Sequence, residues 1–408
     1  MNKDESKKWF GEVVPRLADL VLRLPALLEA HYKNAGETGL RLLKRQQPGI
    51  VVLSQELIAA LLVCSLFCLF PTTNRGDKHL RPINFDGLSG CLYVCYEPDL
   101  ENKIKCIVHY FERVSTNMPT GNVSFERKVL PLNNNNPSNT VYPNADFWSK
   151  STNSLCRFEV HTSGAIEDQT NNALEVDFAD MYIGGLVLQR GTLQEEIRFS
   201  INPELIVSIL FLPVMDKNES IEMVGAERFS NYTGYDRSFR FSGDHTDNKG
   251  VDAMGRRQTR VIAIDALDGP GMRQYGLESL LREANKAYCG FLLLDPNVEG
   301  GETGVATGNW GCGVFGGDVE VKVVIQWLAA SEARRPFVSY YTFGVEALAK
   351  LGPFVQWVES RKWSVGEVWS RLVAYSGERL RGETTNGFFE WLVPALFPDR
   401  SKWNRVAY

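Results

Sequence analysis

The sequence predicts an α/β fold preceded by a helical region, and three features carry that expectation. Apolar residues recur at helical spacing near the N-terminus. Beyond Lys150, short apolar strands alternate with amphipathic helical stretches, the pattern of an α/β sandwich. Glycine-rich turns follow several of those strands, where such folds bind ligands.

Taken in order, residues 9–28 place Val13, Leu17, Leu20, Val21, Leu24, Leu27 and Leu28 on one helical stripe, with Pro15 and Pro25 near turns or helix starts. Ser54 reads as the N-cap of a buried helix over 55–70 that Pro71 ends. Residues 104–111 and 123–129 read as strands, separated by the turn Pro119-Thr120-Gly121. The asparagine run 133–139 reads as a surface loop. Further strands are expected at 157–161, 174–178, 221–224, 260–264, 286–293 and 337–342. Helices are expected at 195–199, 202–211, 277–287, 319–330, 344–359 and 364–372, so the two sets overlap at 286–287. From 382 onward the chain reads as a surface helix anchored by Phe388, Phe389, Trp391, Phe397 and Trp403.

Composition narrows the function. The chain has 408 residues, 44% hydrophobic and 23% charged, which suits one large domain or two coupled ones. A net charge of −5 gives no global basic field, so neither nucleic acid nor an anionic membrane is an expected partner. Any polyanionic ligand must be gripped locally. The charged opening 1–8, with no apolar stretch directly after it, predicts no secretory signal. The apolar run 57–70 is too short to cross a bilayer. Eight cysteines, two pairs of them at i,i+4 spacing (Cys64/Cys68 and Cys91/Cys95), and five dispersed histidines lack the clustering of a zinc site. No metal or other cofactor is expected, and the thiols point to a reducing compartment, nucleus or cytoplasm.

Three constellations can carry chemistry. An apolar strand ends near Asp177, and Gly184-Gly185 then permits close backbone approach to a ligand. Gln194, Glu195 and Glu196 follow, and a helix starting there puts both carboxylates in its first turn. Helix capping explains such a pair as well as catalysis does. The second constellation is the run 306–318, with five glycines between Gly308 and Gly317 ahead of an apolar helix. It lacks the Gly-Lys-Ser/Thr of a P-loop and the dinucleotide pattern, but it suits a phosphate cradle as well as a tight turn. The third is a set of aromatics beside glycines, Tyr232, Tyr235 and Phe343, each able to hold a flat base or to pack.

Together these segments resemble the poly(ADP-ribose) glycohydrolase family. Gly184-Gly185 followed by Gln194-Glu195-Glu196 resembles its glycine-run and Gln-Glu-Glu signature, and 197–205, 232–235, 285–291, 307–318 and 341–344 extend the likeness. Residues 54–71 and 119–121 resemble its helical accessory region.

The resemblance implies a macrodomain-like α/β/α sandwich with a mixed central sheet. The resemblance covers roughly residues 50–375 and implies a helical accessory region, placed at 1–110, and a catalytic core at 111–375; the remaining 376–408 reads as a C-terminal extension packed on the core. The implied reaction is hydrolysis of the ribose–ribose O-glycosidic bonds of poly(ADP-ribose), releasing ADP-ribose. Poly(ADP-ribosyl)ated proteins would be the partners, in the DNA damage response, and a monomer the working form.

Carried over by position, Glu196 is the acid/base, protonating the leaving ribose oxygen and then activating water. Glu195 holds the ribose, and Asp180 lies beside the pair. Gly184, Gly185, Gly311, Cys312, Gly313, Val314, Phe315 and Gly316 cradle the diphosphate, and Asp177, Gln194, Tyr232 and Asn309 are further substrate-binding residues. Ile166, Glu167 and Phe343 hold the adenine, while Tyr235 closes over the phosphates.

Two departures stand out. Leu186 occupies the place of a third glycine, and Asp180 that of an asparagine. An ionised carboxylate cannot donate the hydrogen bond an amide can. These changes open a second reading, a binding module that keeps the ADP-ribose pocket with weakened catalysis.

Overall fold

The computed structural model describes residues 2–73, 76–94, 96–132, 142–169, 173–293 and 303–397. In chain order these form α1 (Lys3–Lys8), α2 (Val14–Leu22), α3 (Leu24–Ala35), β1 (Gly49–Ser54), α4 (Gln55–Leu66), α5 (Asp86–Val94), α6 (Pro98–Thr116) and β2 (Asn122–Val129). Then come α7 (Ala145–Ser149), β3 (Arg157–His161), β4 (Ala173–Ala179), α8 (Gln194–Ile201), β5 (Glu219–Val224), β6 (Ser230–Thr233), β7 (Arg240–Asp244) and β8 (Arg260–Asp265). The remainder comprises α9 (Leu277–Phe291), β9 (Gly304–Thr307), α10 (Val319–Glu332), β10 (Phe337–Tyr341), α11 (Leu351–Ser360), α12 (Val365–Arg381) and α13 (Phe388–Leu392).

The chain divides into two compact units. The first holds Met1–Lys128, Asp177–Asp216 and Ile221–Ala263; the second holds Val129–Val176, Lys217–Ser220 and Ile264–Tyr408.

In the first unit β1 pairs antiparallel with β2, and β5 antiparallel with β8. A small hairpin of β6 and β7 carries Tyr235 at its tip. The core is built on α4, which is apolar all round and buried from Leu57 to Ser65, against Leu17 and Leu20 of α2 and Tyr110 and Phe111 of α6. Ser54 caps α4 as expected, its hydroxyl accepting from the Leu57 N–H at 3.2 Å.

In the second unit β4, β9, β10 and β3 run parallel in that order. Parallel strands need crossover connections, and α10 supplies the one between β9 and β10. Strands paired both ways, interleaved with helices, make the α/β class expected from the sequence.

Several expectations need correction. Residues 104–111 lie inside α6, not in a strand. An eight-residue window of Ile, Val, Tyr and Phe reads as β, but the buried positions Leu100, Lys103, Ile107, Tyr110 and Val114 recur every three to four residues. The expected strand at 286–293 is the C-terminal part of α9 for the same reason, with Leu280, Ala284, Ala287 and Phe291 on its buried face.

Residues 203–210 form a 3₁₀ helix, and the helix expected from 344 starts at Leu351 after a short 3₁₀ turn. Phe388 and Phe389 are fully buried, so α13 is part of the core of its unit and not a surface helix. The loop expected at 133–139, Cys95 and Trp403 lie outside the described residues.

Candidate active site

In the first unit the structure gathers Asp177, Asp180, Gly184, Gly185, Gln194, Glu195 and Glu196. β4 ends at Ala179, and the turn after it folds back over the first turn of α8. Gly184 and Gly185 take the left-handed conformation, with φ of +85° and +51°.

That turn presents its N–H groups to the glutamates. Asp180 N and Gly184 N donate to the two oxygens of Glu195 at 2.8 and 2.7 Å. Leu186 N donates to Glu196 Oε1 at 2.9 Å, and Leu193 N to Oε2 at 3.0 Å. Helix capping is therefore real for Glu196, through Leu193, but most of the donors come from the glycine turn. Each carboxylate oxygen keeps a second lone pair for a ligand or proton. Gln194 fixes the strand end, its Oε1 accepting from Phe178 N at 2.8 Å.

The electrostatics favour a protonated carboxyl in this cluster. Glu195 is almost fully buried, and burial first, then Asp177 and Glu196 beside it, hold it well above the ordinary carboxylate range. Burial likewise lifts Asp177 to about 8, against the pull of the Arg198 guanidinium. Neither Asp177 oxygen has a hydrogen-bond partner among the described residues, an expensive arrangement for a group with no exposed surface.

Asp180 and Leu186, the two departures, have local explanations. The Asp180 carboxylate caps Tyr182 N at 2.8 Å and pairs with Arg81 at 3.2 Å. Arg81 also donates to the Gly185 carbonyl and lies 4.6 Å over the Tyr182 ring. A cation therefore meets the charge that distinguishes Asp180 from an amide. Leu186 has no left-handed φ, so its backbone does not need glycine, and its side chain is 42% exposed. Sequence reading missed Arg81, because 99 positions separate it from Asp180 and no motif links them.

Tyr235 stands at the hairpin tip with its ring partly exposed. Burial raises its hydroxyl to about 12, while the Gln194 backbone bonds it and Glu196 lies near. Tyr232 instead packs against Phe239 and the cluster behind α8 that includes Ile197 and Ile201.

The second unit holds the other residues. The glycine run links β9 to α10, and Asp318 caps that helix through the N–H groups of Glu320 and Val321. Gly311 and Gly316 have φ of +71° and +72°, and a Cβ on Gly311 would collide with Ala266. Trp310 lies buried beneath, bonded to the Ile264 carbonyl at 2.8 Å, with the Lys322 ammonium 3.8 Å from its ring centre.

Cys312, Gly313, Val314 and Phe315 form the outer part of the loop, with Val314 76% exposed. Asn309 ties the loop to the end of β10, donating to the Thr342 carbonyl at 3.0 Å and accepting from Tyr340 at 3.0 Å. The next residue, Phe343, is exposed and left-handed at φ +54°. Ile166 and Glu167 lie in the 3₁₀ turn after β3, within electrostatic reach of Tyr341 in the case of Glu167. Backbone donors ahead of a helix N-terminus, with an aromatic alongside, suit a phosphorylated nucleoside.

Comparison with known proteins gives a concordant picture. Residues 145–350 match the family model described as poly(ADP-ribose) glycohydrolase, macro domain fold, and residues 1–127 match the one described as its helical domain. The chain is 51% identical over 466 aligned positions to poly(ADP-ribose) glycohydrolase 1 of Arabidopsis thaliana, which covers 97% of this chain and 83% of the relative. It is 52% identical over 437 positions to the probable poly(ADP-ribose) glycohydrolase 2 of the same plant, with 97% and 84% covered. Poly(ADP-ribose) glycohydrolase 1 of Caenorhabditis elegans is 32% identical over 298 positions, 70% of this chain and 36% of the relative. The fold is thus a macrodomain with a helical N-terminal region.

Proposed function

This chain belongs to the poly(ADP-ribose) glycohydrolase family, and from that premise we propose that it hydrolyses the ribose–ribose bonds of poly(ADP-ribose) with Glu196 as acid/base. The observation that carries the reading is the Glu195-Glu196 pair, buried in the first turn of α8 and held by the N–H groups of the glycine turn.

In the proposed cycle Glu196 gives its proton to the leaving ribose oxygen as the bond from that oxygen to the anomeric carbon breaks. The resulting oxocarbenium ion is stabilised by the substrate's own diphosphate. Glu196, now a carboxylate, takes a proton from the attacking water, and ADP-ribose leaves. Glycosidases ordinarily divide such work between two carboxyl groups. Here one group moves both protons, while Glu195 orients the ribose and Asp177 offers a second buried carboxyl beneath it. Gly311, Cys312, Gly313, Val314, Phe315 and Gly316 receive the diphosphate. Phe343, Ile166 and Glu167 take the adenine, and the role of Tyr235 is to close over the phosphates of the bound substrate.

The pairing of Asp180 with Arg81 and the unstrained backbone at Leu186 favour the enzyme over the weakened binding module. The same proposal includes poly(ADP-ribosyl)ated proteins as targets, a monomer as the working form and a nuclear or cytoplasmic setting. Cys64, Cys68, Cys91, Cys106, Cys156 and Cys312 are free thiols, in keeping with a reducing compartment.

The test is release of free ADP-ribose from automodified polymer. Glu196→Gln should slow it by about 10²–10⁴, the usual worth of a general acid/base, in a variant that stays folded and loses no more stability than one backbone hydrogen bond to the side chain accounts for. Equal rates for wild type and variant would overturn the assignment.

A further inference from the structure

Lys103 is an unlikely place to find a cation. α6 carries its side chain into the first unit with no exposed surface at all. The ammonium is surrounded by backbone: it donates to the carbonyls of Leu186 at 3.2 Å, Gln189 at 2.5 Å and Gly191 at 2.8 Å. An ammonium has three donors and no acceptor, so these carbonyls fill its capacity.

All three belong to the stretch between the glycine turn and α8, the stretch whose Leu186 N–H holds Glu196. One turn earlier on α6, Asp99 accepts from Thr192 Oγ1 at 2.9 Å, a further hold on the same loop. Neutral donors could close a loop of this length without the penalty of burying a charge. A full positive charge acts in addition on what faces it. The ionisable groups doing so are Asp99 on its own helix, Cys91 of α5 and Glu196 of α8.

We propose that Lys103 is a positioning residue for the glycosidic reaction, drawing three loop carbonyls inward to fix the N–H that holds Glu196 and setting positive charge beside that carboxylate once its proton has left. The proposal rests on Glu196 being the acid/base. It gives the helical region a part in the chemistry, since α6 is the element that delivers the charge. Burial lowers the Lys103 ammonium to about 8, so that charge disappears in mildly alkaline solution.

The experiment compares wild type, Lys103→Met and Lys103→Arg on poly(ADP-ribose), with kcat and KM determined separately and ADP-ribose affinity followed by calorimetry. Methionine keeps the straight apolar stem and removes the charge; arginine keeps the charge at every working pH. Lys103→Met should lose about tenfold or more in kcat, with KM and ADP-ribose affinity within about threefold, the signature of a contact that matters in the transition state. Wild-type kcat should fall as pH rises through about 8, and Lys103→Arg should hold its kcat to higher pH.

A folded Lys103→Met with wild-type kcat overturns the proposal. So does a wild-type kcat flat to about pH 9.5, well beyond the range in which a buried amine of this kind titrates, and that result needs no variant to fold. A wild type inactive on polymer sinks the glycohydrolase reading instead, a distinct outcome.

Discussion

Gly185 has room for a hydrogen and nothing larger. A Cβ there would stand 2.5 Å from Glu195 Oε2 and from Glu196 Oε1, on a backbone with φ of +51°. Gly185→Ala must therefore strain the turn, at about 1–2 kcal/mol for the left-handed conformation alone, and push both carboxylates from their donors. Denaturant unfolding should register at least that loss, and kcat on polymer should fall by about 100-fold, as expected when an acid/base is displaced. The glycines and the glutamates are legible in the sequence because their spacing is short. Arg81 is not, since its value comes from folding beside Asp180, and a change that looks damaging in isolation is neutralised from afar. Leu186 illustrates the converse: a missing glycine matters only where φ demands one.

At the scale of elements, α4 with its Ser54 cap and β3, β4, β5, β8 and β10 follow directly from periodicity and caps. The errors fall where a window is too short to separate two periods, as in α6 and α9, where strands are short, as in β6, β7 and β9, and at β1, which the apolar pattern does not single out. The C-terminal end shows how aromatics mislead. Phe389 stacks on Phe354 with ring centres 4.1 Å apart, and Phe388 meets Tyr375 at 5.3 Å, so α13 closes the core formed with α11 and α12. A surface anchor would tolerate truncation. Phe389→Ala should instead cost about 3–5 kcal/mol, the range for emptying a buried phenylalanine site, measurable as a lower urea midpoint with an unchanged slope.

For the whole molecule, the buried carboxyl groups set a pH dependence. Asp177 and Glu204 are both raised to about 8, each by burial first. The folded chain then binds more protons than the unfolded one between the ordinary carboxylate range and about pH 8. The stability these groups contribute is complete below the unfolded carboxylate pKa and is lost as pH rises through about 8. Asp216, Asp244, Asp252 and Asp265, lowered in spite of burial by the hydrogen bonds and charges of Arg45, of His109 and Arg113, of Arg256, and of Lys286 and Arg282 in turn, act in the opposite sense but at acid pH. Unfolding free energy should thus decline from about pH 5 to about pH 8, and Asp177→Asn should flatten the decline. A variant with the wild-type slope would show that Asp177 titrates normally. No composition count foretells this, because it depends on which carboxyls folding deprives of water.

The grip of the glycine turn on the two glutamates has a consequence for how lost function is interpreted. Four backbone N–H groups close on four carboxylate oxygens, so the pair is also the clasp that keeps its own loop in place. Truncating either side chain to alanine unfastens the loop as well as deleting the acid. A dead alanine mutant is then ambiguous between chemistry and architecture. Glutamine keeps one acceptor oxygen for the clasp, and the difference between the two substitutions at one position measures how much of the silence is mechanical.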